Sequence, residues 1–137
     1  MKKLTFVFLF ALLGILLTPE KASAVTYQKQ ACYTYKEGGV KQWKHCQTAK
    51  YNWDTSTHKV KCVSGFPVGT FTRYTGSWQA YLFSKGCQYS TWSTTGKTWH
   101  TFAVYKGGEL HGYSEIFQKV YGNLPGNFYK SWNYYPQ

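Results

Sequence analysis

Histidine and carboxylate side chains that could cooperate in acid–base chemistry meet at one place in the sequence. His100, Glu115 and His111 flank the pair Gly107-Gly108, and a regular hairpin turning at these glycines puts all three on one face. A histidine and a carboxylate on a sheet, with a cation to hold phosphate, are the groups that a small ribonuclease needs. Arg73 is the only arginine. The alternative for the same residues is an ordinary surface ion pair.

Other chemistries lack their sequence signatures. The chain has no G-x-S-x-G elbow, no glycine-rich phosphate loop and no dinucleotide-binding fingerprint. The cysteines are not spaced as C-x-x-C, and the histidines do not follow the H-x₃₋₅-H pattern of zinc sites. We therefore expect no metal and no cofactor, nucleotides included, and we favour a binding protein over an enzyme.

Aromatic side chains are the strongest indication of function. The chain after residue 24 holds 25 Phe, Trp and Tyr residues. Most of them are expected in strands and core. Tyrosine and tryptophan also stack on sugar rings and nucleobases, and lysines between them suit an anionic, sugar-containing polymer. The residues predicted to form an exposed binding surface are Trp43, Lys44, Trp53, Trp132, Tyr134 and Tyr135.

Residues 1–24 have the features of a secretory signal peptide. Lys2 and Lys3 precede an apolar run over residues 4–17, and Ala22-Ser23-Ala24 supplies the small residues of a cleavage site. The run is shorter than the ~20 residues that a membrane-spanning helix needs. We expect residues 25–137 to form a single secreted domain, monomeric and without a transmembrane segment, either free or held at the cell wall by charge.

The predicted mature chain is strongly cationic. Thirteen basic and four acidic residues follow residue 24, which gives a formal net charge of +9. Outside a cell, such a charge favours anionic partners: lipid or teichoic phosphates, acidic polysaccharides and nucleic acid. The alternative is that the lysines only keep the protein soluble.

All four cysteines follow the predicted signal peptide. An even number in a small exported domain predicts two disulfides among Cys32, Cys46, Cys62 and Cys87. A turn at Gly38-Gly39 brings the first two close together, whereas a turn near residues 54–56 would pair the second with the third. Three connectivities are possible, and the sequence does not choose between them.

Short runs of Thr, Tyr, Trp, Val and Phe between glycine turns predict an all-β fold. We expect a small disulfide-stapled antiparallel β-sandwich or barrel built from hairpins. Hairpin turns are predicted at Gly38-Gly39 and Gly107-Gly108, with Thr95-Gly96 as a weaker candidate. Strands are predicted over residues 31–36, 40–48, 58–64, 70–75, 78–83, 88–93, 98–106 and 109–117, with one more strand or a wrapping segment in the tail.

The two faces of the strand over residues 98–106 differ in polarity. One face carries Trp99, Thr101 and Ala103 and no charged group, so we predict that it faces the core. The other face carries His100, which is then expected outside with Glu115 and His111.

These patterns predict a secreted protein that binds an anionic cell-envelope polymer or glycan and serves as an antimicrobial or competition factor. One alternative is the ribonuclease-like enzyme that uses His100 and Glu115. Another is a secreted protein inhibitor, which would present a loop between cysteines such as the one that contains Pro67.

Overall fold

The computed structural model describes residues 24–137, which fold into two antiparallel four-stranded sheets. The all-β, disulfide-stapled fold predicted from the sequence is confirmed. The predicted signal peptide lies outside the described residues except for Ala24, which begins the first strand. The first sheet contains β1 (Ala24–Glu37), β2 (Val40–Asp54), β3 (Lys59–Cys62) and β4 (Val68–Arg73), and the second contains β5 (Trp78–Gln88), β6 (Thr95–Lys106), β7 (Glu109–Tyr121) and β8 (Phe128–Pro136).

Strand β2 lies at the centre of the first sheet, with β1 on one side and both β3 and β4 on the other. The second sheet has the simple order β5-β6-β7-β8. A bridge between Val60 and Ser93 joins β3 to the segment before β6. On the opposite side of the molecule, the edge strands β1 and β8 contact each other. No helix in residues 24–137 is long and apolar enough to cross a membrane.

Two of the predicted elements differ in the structure. Gln88 ends β5, and residues 89–93 do not form a strand, because Tyr89 adopts φ = 74° and turns the chain away from an extended path. Thr95 and Gly96 are the first two residues of β6 instead of forming a turn. The tail supplies a complete strand, β8.

Both Gly-Gly pairs form the predicted hairpin turns. All four glycines have positive φ, between 55° and 84°, which is the conformation of the primed turns that match the twist of a hairpin. In each hairpin the register then shifts by one residue, leaving Gln42 and His111 as the extra residues of a β-bulge.

The bulge decides the disulfide pairing in the first hairpin. With the shifted register, Cys32 lies directly opposite Cys46, and the two residues form a disulfide. The second disulfide joins Cys62 of β3 to Cys87 of β5, so that it links the two sheets. Of the three connectivities that the sequence left open, the structure has this one.

The bulge at His111 also changes which side of β6 faces the core. His100 pairs with Ile116 of β7 and is 3% exposed, whereas Trp99 pairs with Phe117 on the other side of the sheet. The predicted orientation of β6 toward the core is therefore wrong, although Thr101 and Ala103 on its outer face are also buried, at 3% and 8% exposed. The physical reason is that a shift of one residue in β7 gives each face of β6 the partners that were expected on its other face. In addition, a histidine that is hydrogen-bonded is tolerated in the core.

The core between the sheets has three layers. An aromatic cluster at each end is separated by a layer of buried polar side chains: His45, Gln47, Thr98, His100, Ser114 and Gln118. Gln47 donates to the carbonyl of Ile116 (3.1 Å), and Gln118 donates to the carbonyl of Gln47 (3.2 Å). These reciprocal hydrogen bonds fix the position of one sheet on the other, because an unpaired buried amide would cost about 1–3 kcal/mol.

Candidate functional site

Two tryptophans predicted to be exposed lie in the core. Trp43 and Trp53 are each 0% exposed, so the predicted exposure of both is wrong. Both belong to the alternate positions of β2 that point toward the second sheet, and their neighbour Lys44 takes the opposite side. The lysine-rich segment around them misled the prediction, since every second residue of a strand faces inward whatever its neighbours are.

The predicted surface residues of the tail separate onto different sides of β8. Trp132 and Tyr135 are each 50% exposed, which confirms their predicted exposure. Trp132 stacks on Tyr33 at the β1 edge, with ring centroids 3.8 Å apart. Tyr134 is partly buried between Tyr35 and Trp43. These residues therefore do not form one continuous patch.

The predicted catalytic residues are not brought together. His100 points into the core, whereas Glu115 lies on the outer face and accepts a hydrogen bond from Thr101 (3.0 Å). Their predicted common face is wrong because of the bulge in this hairpin. Arg73 lies on β4, where it donates to the carbonyl of Trp78 (3.3 Å).

His111, the third member of that group, belongs to a different acid–base cluster. Its Nδ1 atom is hydrogen-bonded to the hydroxyl of Tyr134, and its Nε2 atom lies 4.0 Å from Glu37. Glu37 also accepts a hydrogen bond from Tyr35 (3.1 Å) and pairs with Lys106 (3.7 Å). Burial, followed by nearby Tyr35, raises the pKa of the Tyr134 hydroxyl, so it does not supply a nucleophile at neutral pH. The cluster joins the tips of the two Gly-Gly hairpins to β8.

His100 forms a buried pair with His45. His45 Nε2 lies 2.9 Å from His100 Nδ1, and His45 Nδ1 lies 2.9 Å from Ser114 Oγ. Burial lowers the pKa of His45 to about 3, with a smaller contribution from His100. Burial and the nearby Lys85 ammonium lower the pKa of His100 to about 4. Both rings are therefore neutral at pH 7, which fits a structural role.

The outer face of the second sheet combines cations with aromatic rings. Four residues lie in line across the strands: Gln88, Lys97, Lys119 and Tyr129. The adjacent line contains Gly86, Trp99, Phe117 and Ser131. Because opposed residues in a sheet share a face, the first line presents two ammonium groups and the second presents two aromatic rings beside them.

A groove of about 540 Å³ runs over this surface, and we name it the face groove. Tyr129 is 48% exposed at one end of its lining, and Tyr135 is 50% exposed further along the same strand. All four strands of the second sheet supply residues to the lining of the face groove, which includes Gln88, Lys97, Phe117, Lys119, Tyr129 and Tyr135.

The two lysines in the face groove have no carboxylate partner among residues 24–137. Lys97 and Lys119 are directly opposed on β6 and β7, and neither forms an ion pair within the described part of the chain. Instead, the Lys97 ammonium lies 4.2 Å from the centroid of Phe117, and the Lys119 ammonium lies 5.0 Å from that of Tyr121. Directly opposed like charges destabilise a strand pair, so an anion bound between them would relieve a repulsion built into the sheet.

Trp99 is held flat against the sheet by a glycine. A Cβ atom on Gly86 would lie 2.2 Å from the Trp99 ring, so the indole occupies the space that a side chain would take. The indole NH donates to Ser84 Oγ (3.1 Å). The ring is thereby fixed as a platform next to Lys97.

The variant Gly86→Ala tests this platform. We expect the methyl group to lift the partly exposed indole from the sheet, with a loss of stability below about 1 kcal/mol because the ring can move into solvent. Accessibility of tryptophan fluorescence to a neutral quencher should rise, and the variant Gly76→Ala, at a glycine with open space around it, serves as the control. Unchanged quenching in Gly86→Ala would contradict the close packing.

Sequence reasoning missed the face groove. Its residues come from four separate strands, and the relevant alternation, Lys97 with Trp99 and Phe117 with Lys119, becomes visible only when the outer face of β6 is known. The predicted inward orientation of Trp99 concealed it.

Comparisons of the chain with protein-family models, with curated protein sequences and with solved structures gave no match.

Proposed function

We propose that this protein is exported and binds an anionic polymer or glycan of a cell envelope through the face groove. The observation that carries the proposal is that Lys97 and Lys119 are opposed, have no ion pair with a carboxylate of residues 24–137, and lie beside the rings of Trp99 and Phe117. A ligand with both negative charges and sugar rings complements the two features at once.

The charge distribution of the chain supports the electrostatic part of the proposal. Only four carboxylates accompany thirteen basic residues after residue 24, and Glu37 is already engaged by Lys106. A surface with this excess attracts polyanions from a distance, and salt weakens the attraction because the Debye length falls to about 8 Å at 0.15 M. The two disulfides are typical of proteins in oxidising compartments outside the cytoplasm.

The aromatic part of the proposal explains why a sugar-containing polymer is favoured over a simple anion. Tyr129 lines the face groove, and Trp99 lies in the adjacent line of residues. Both present flat apolar faces, and ring stacking of this kind contributes about 1–3 kcal/mol per stacked base in nucleic-acid complexes. Ser131 and Asn133 line the same groove and provide hydrogen-bonding groups for hydroxyls.

The double variant Lys97→Gln/Lys119→Gln tests the proposal against purified wall teichoic acid, a phosphate-bearing glycopolymer. With about 1 kcal/mol lost per exposed charged contact, affinity at 50 mM salt should fall about tenfold or more. The slope of log affinity against log salt should become shallower by roughly two counterions. Isothermal titration calorimetry at several salt concentrations measures both quantities.

The chain contains a matched control. Lys36 and Lys41 are also opposed and exposed, but they lie at the tip of the first hairpin, away from the face groove. Lys36→Gln/Lys41→Gln removes the same charge and should change affinity less than about threefold. If the two double variants weaken binding equally, only net charge matters and the face groove is not the site; no binding by the wild-type chain would remove the proposed function.

A role as an antimicrobial or competition factor follows if the bound polymer belongs to another organism. Growth inhibition of cells that display the polymer should then decline in Lys97→Gln/Lys119→Gln in parallel with affinity. Inhibition that persists in a variant unable to bind would separate the two activities.

A further inference from the structure

A second groove lies beyond the edge of β8, on the other side of this strand from the face groove. It has a volume of about 490 Å³ and is formed where β1 meets β8 and the turn before it, and we name it the edge groove. Its lining includes Lys29, Gln30, Asn127, Tyr129 and Lys130. Tyr129 therefore lines both grooves.

Strand β8 is the ridge between the two grooves. Tyr129 pairs with Lys119 and belongs to the outer face, whereas Lys130 pairs with the buried Gln118 and belongs to the opposite side of the strand. Consecutive residues of a strand alternate between its sides. The ring of Tyr129 and the ammonium group of Lys130 thus lie on opposite sides of β8, where one groove meets the other.

The edge groove has the same chemical character as the face groove. Lys29 and Lys130 are exposed and form no ion pair with the carboxylates of residues 24–137. Further along the same edge, the half-exposed Trp132 stacks on Tyr33. Cations that form no ion pair within the described residues again lie near flat rings.

The floor of the edge groove is rigid. Gln118 is 1% exposed, and its amide donates to the carbonyl of Lys29 (3.1 Å) and to that of Gln47 (3.2 Å). These bonds tie the edge strand β1 to the centre of both sheets. The groove is therefore preformed, which lowers the entropic cost of binding a flexible chain.

We infer that the two grooves form one continuous path, along which a single chain of the anionic glycopolymer wraps round β8 at Tyr129. This inference rests on the proposed function and makes the ligand an extended polymer instead of a single charged sugar or phosphate. Occupying the second groove is then an intramolecular event, so a chain long enough to reach both gains affinity from linkage.

Size-fractionated wall teichoic acid tests the inference, with affinity expressed per repeat unit. We expect long chains to bind the wild type about tenfold or more tightly than fragments of a few repeats. Lys29→Gln/Lys130→Gln should lower the affinity for long chains about tenfold and leave that for short fragments within twofold. Lys97→Gln/Lys119→Gln should weaken both, and Lys36→Gln/Lys41→Gln again serves as the control.

Amide chemical shifts provide a second measurement that is independent of the variants. Long chains should shift the amide signals of Lys29, Gln30 and Lys119. Short fragments should shift only the amide signal of Lys119. Equal affinity of long and short chains, or an edge groove whose amides do not respond to long chains, would overturn the continuous path while leaving the face groove intact. Failure of every fraction to bind would instead overturn the proposed function.

Discussion

Acidification from pH 7 to pH 4 should destabilise this fold by about 6 kcal/mol, of which each histidine of the buried pair His45 and His100 contributes about 3 kcal/mol. Unfolded histidine titrates near pH 6.5, whereas burial lowers the pKa of His45 to about 3 and that of His100 to about 4. Each unit of pH across which only the unfolded chain binds the proton costs about 1.4 kcal/mol. The change is large against the 5–15 kcal/mol that usually stabilises a domain.

The sign follows from which state binds protons. Above pH 6.5 both rings are neutral in the folded and the unfolded chain, and their contribution to stability is fully present. As the pH falls from 6.5 toward 4, the unfolded chain takes up protons that the folded one excludes, so the free energy of unfolding decreases. The groups around the pair do not offset this, since Ser114 and Phe102 are uncharged and Lys85 disfavours a second cation.

Urea unfolding at a series of pH values measures the effect, and the midpoint concentration should fall steadily between pH 6.5 and 4. His58, at an exposed turn with φ = 55°, provides the control, because His58→Asn changes a histidine that has no part in the pair. His45→Gln/His100→Gln should flatten the pH dependence. Imidazole NMR signals that show the wild-type rings protonated at pH 5.5 in the folded state would refute the prediction.

The sequence predicts the fold class because its local signals agree with one another. The Gly-Gly pairs specify two hairpins through positive φ, and the β-forming composition leaves no competing helix. What the local pattern could not supply was the bulge at Gln42 and at His111. A bulge depends on packing across the sheet, and a single inserted residue was enough to reverse the expected orientation of Trp99.

The candidate site was hidden for the same reason. Lysine next to tryptophan in sequence, as at Trp43 and Lys44, suggested a surface, but adjacent residues of a strand lie on opposite sides. The cations and rings of the face groove are neighbours across strands, as Lys97, Lys119 and Tyr129 are, and only the register brings them together. Net charge and aromatic content therefore indicated a class of ligand but not its location.

Gly69 makes room for the buried histidine pair. A Cβ atom at this position would lie 2.1 Å from the ring of His100, a distance that no side-chain atom tolerates. The ring cannot move away freely, because its Nδ1 atom is hydrogen-bonded to His45 and its face packs on Phe102. We therefore expect Gly69→Ala to destabilise the fold by about 2–3 kcal/mol through overpacking and a strained hydrogen bond.

A double-mutant cycle separates this effect from a general intolerance of alanine in β4. In the background His100→Ala, the ring is gone and the added methyl group enters the space it leaves, so Gly69→Ala should cost less than about 1 kcal/mol there. The neighbouring Thr70→Ala, on the exposed side of the same strand, should cost about the same in both backgrounds. Additive effects of Gly69→Ala and His100→Ala in urea unfolding would show that the two positions are not in contact. Coupling of about 1–2 kcal/mol would show that the glycine is required because the histidine pair occupies the centre of the core.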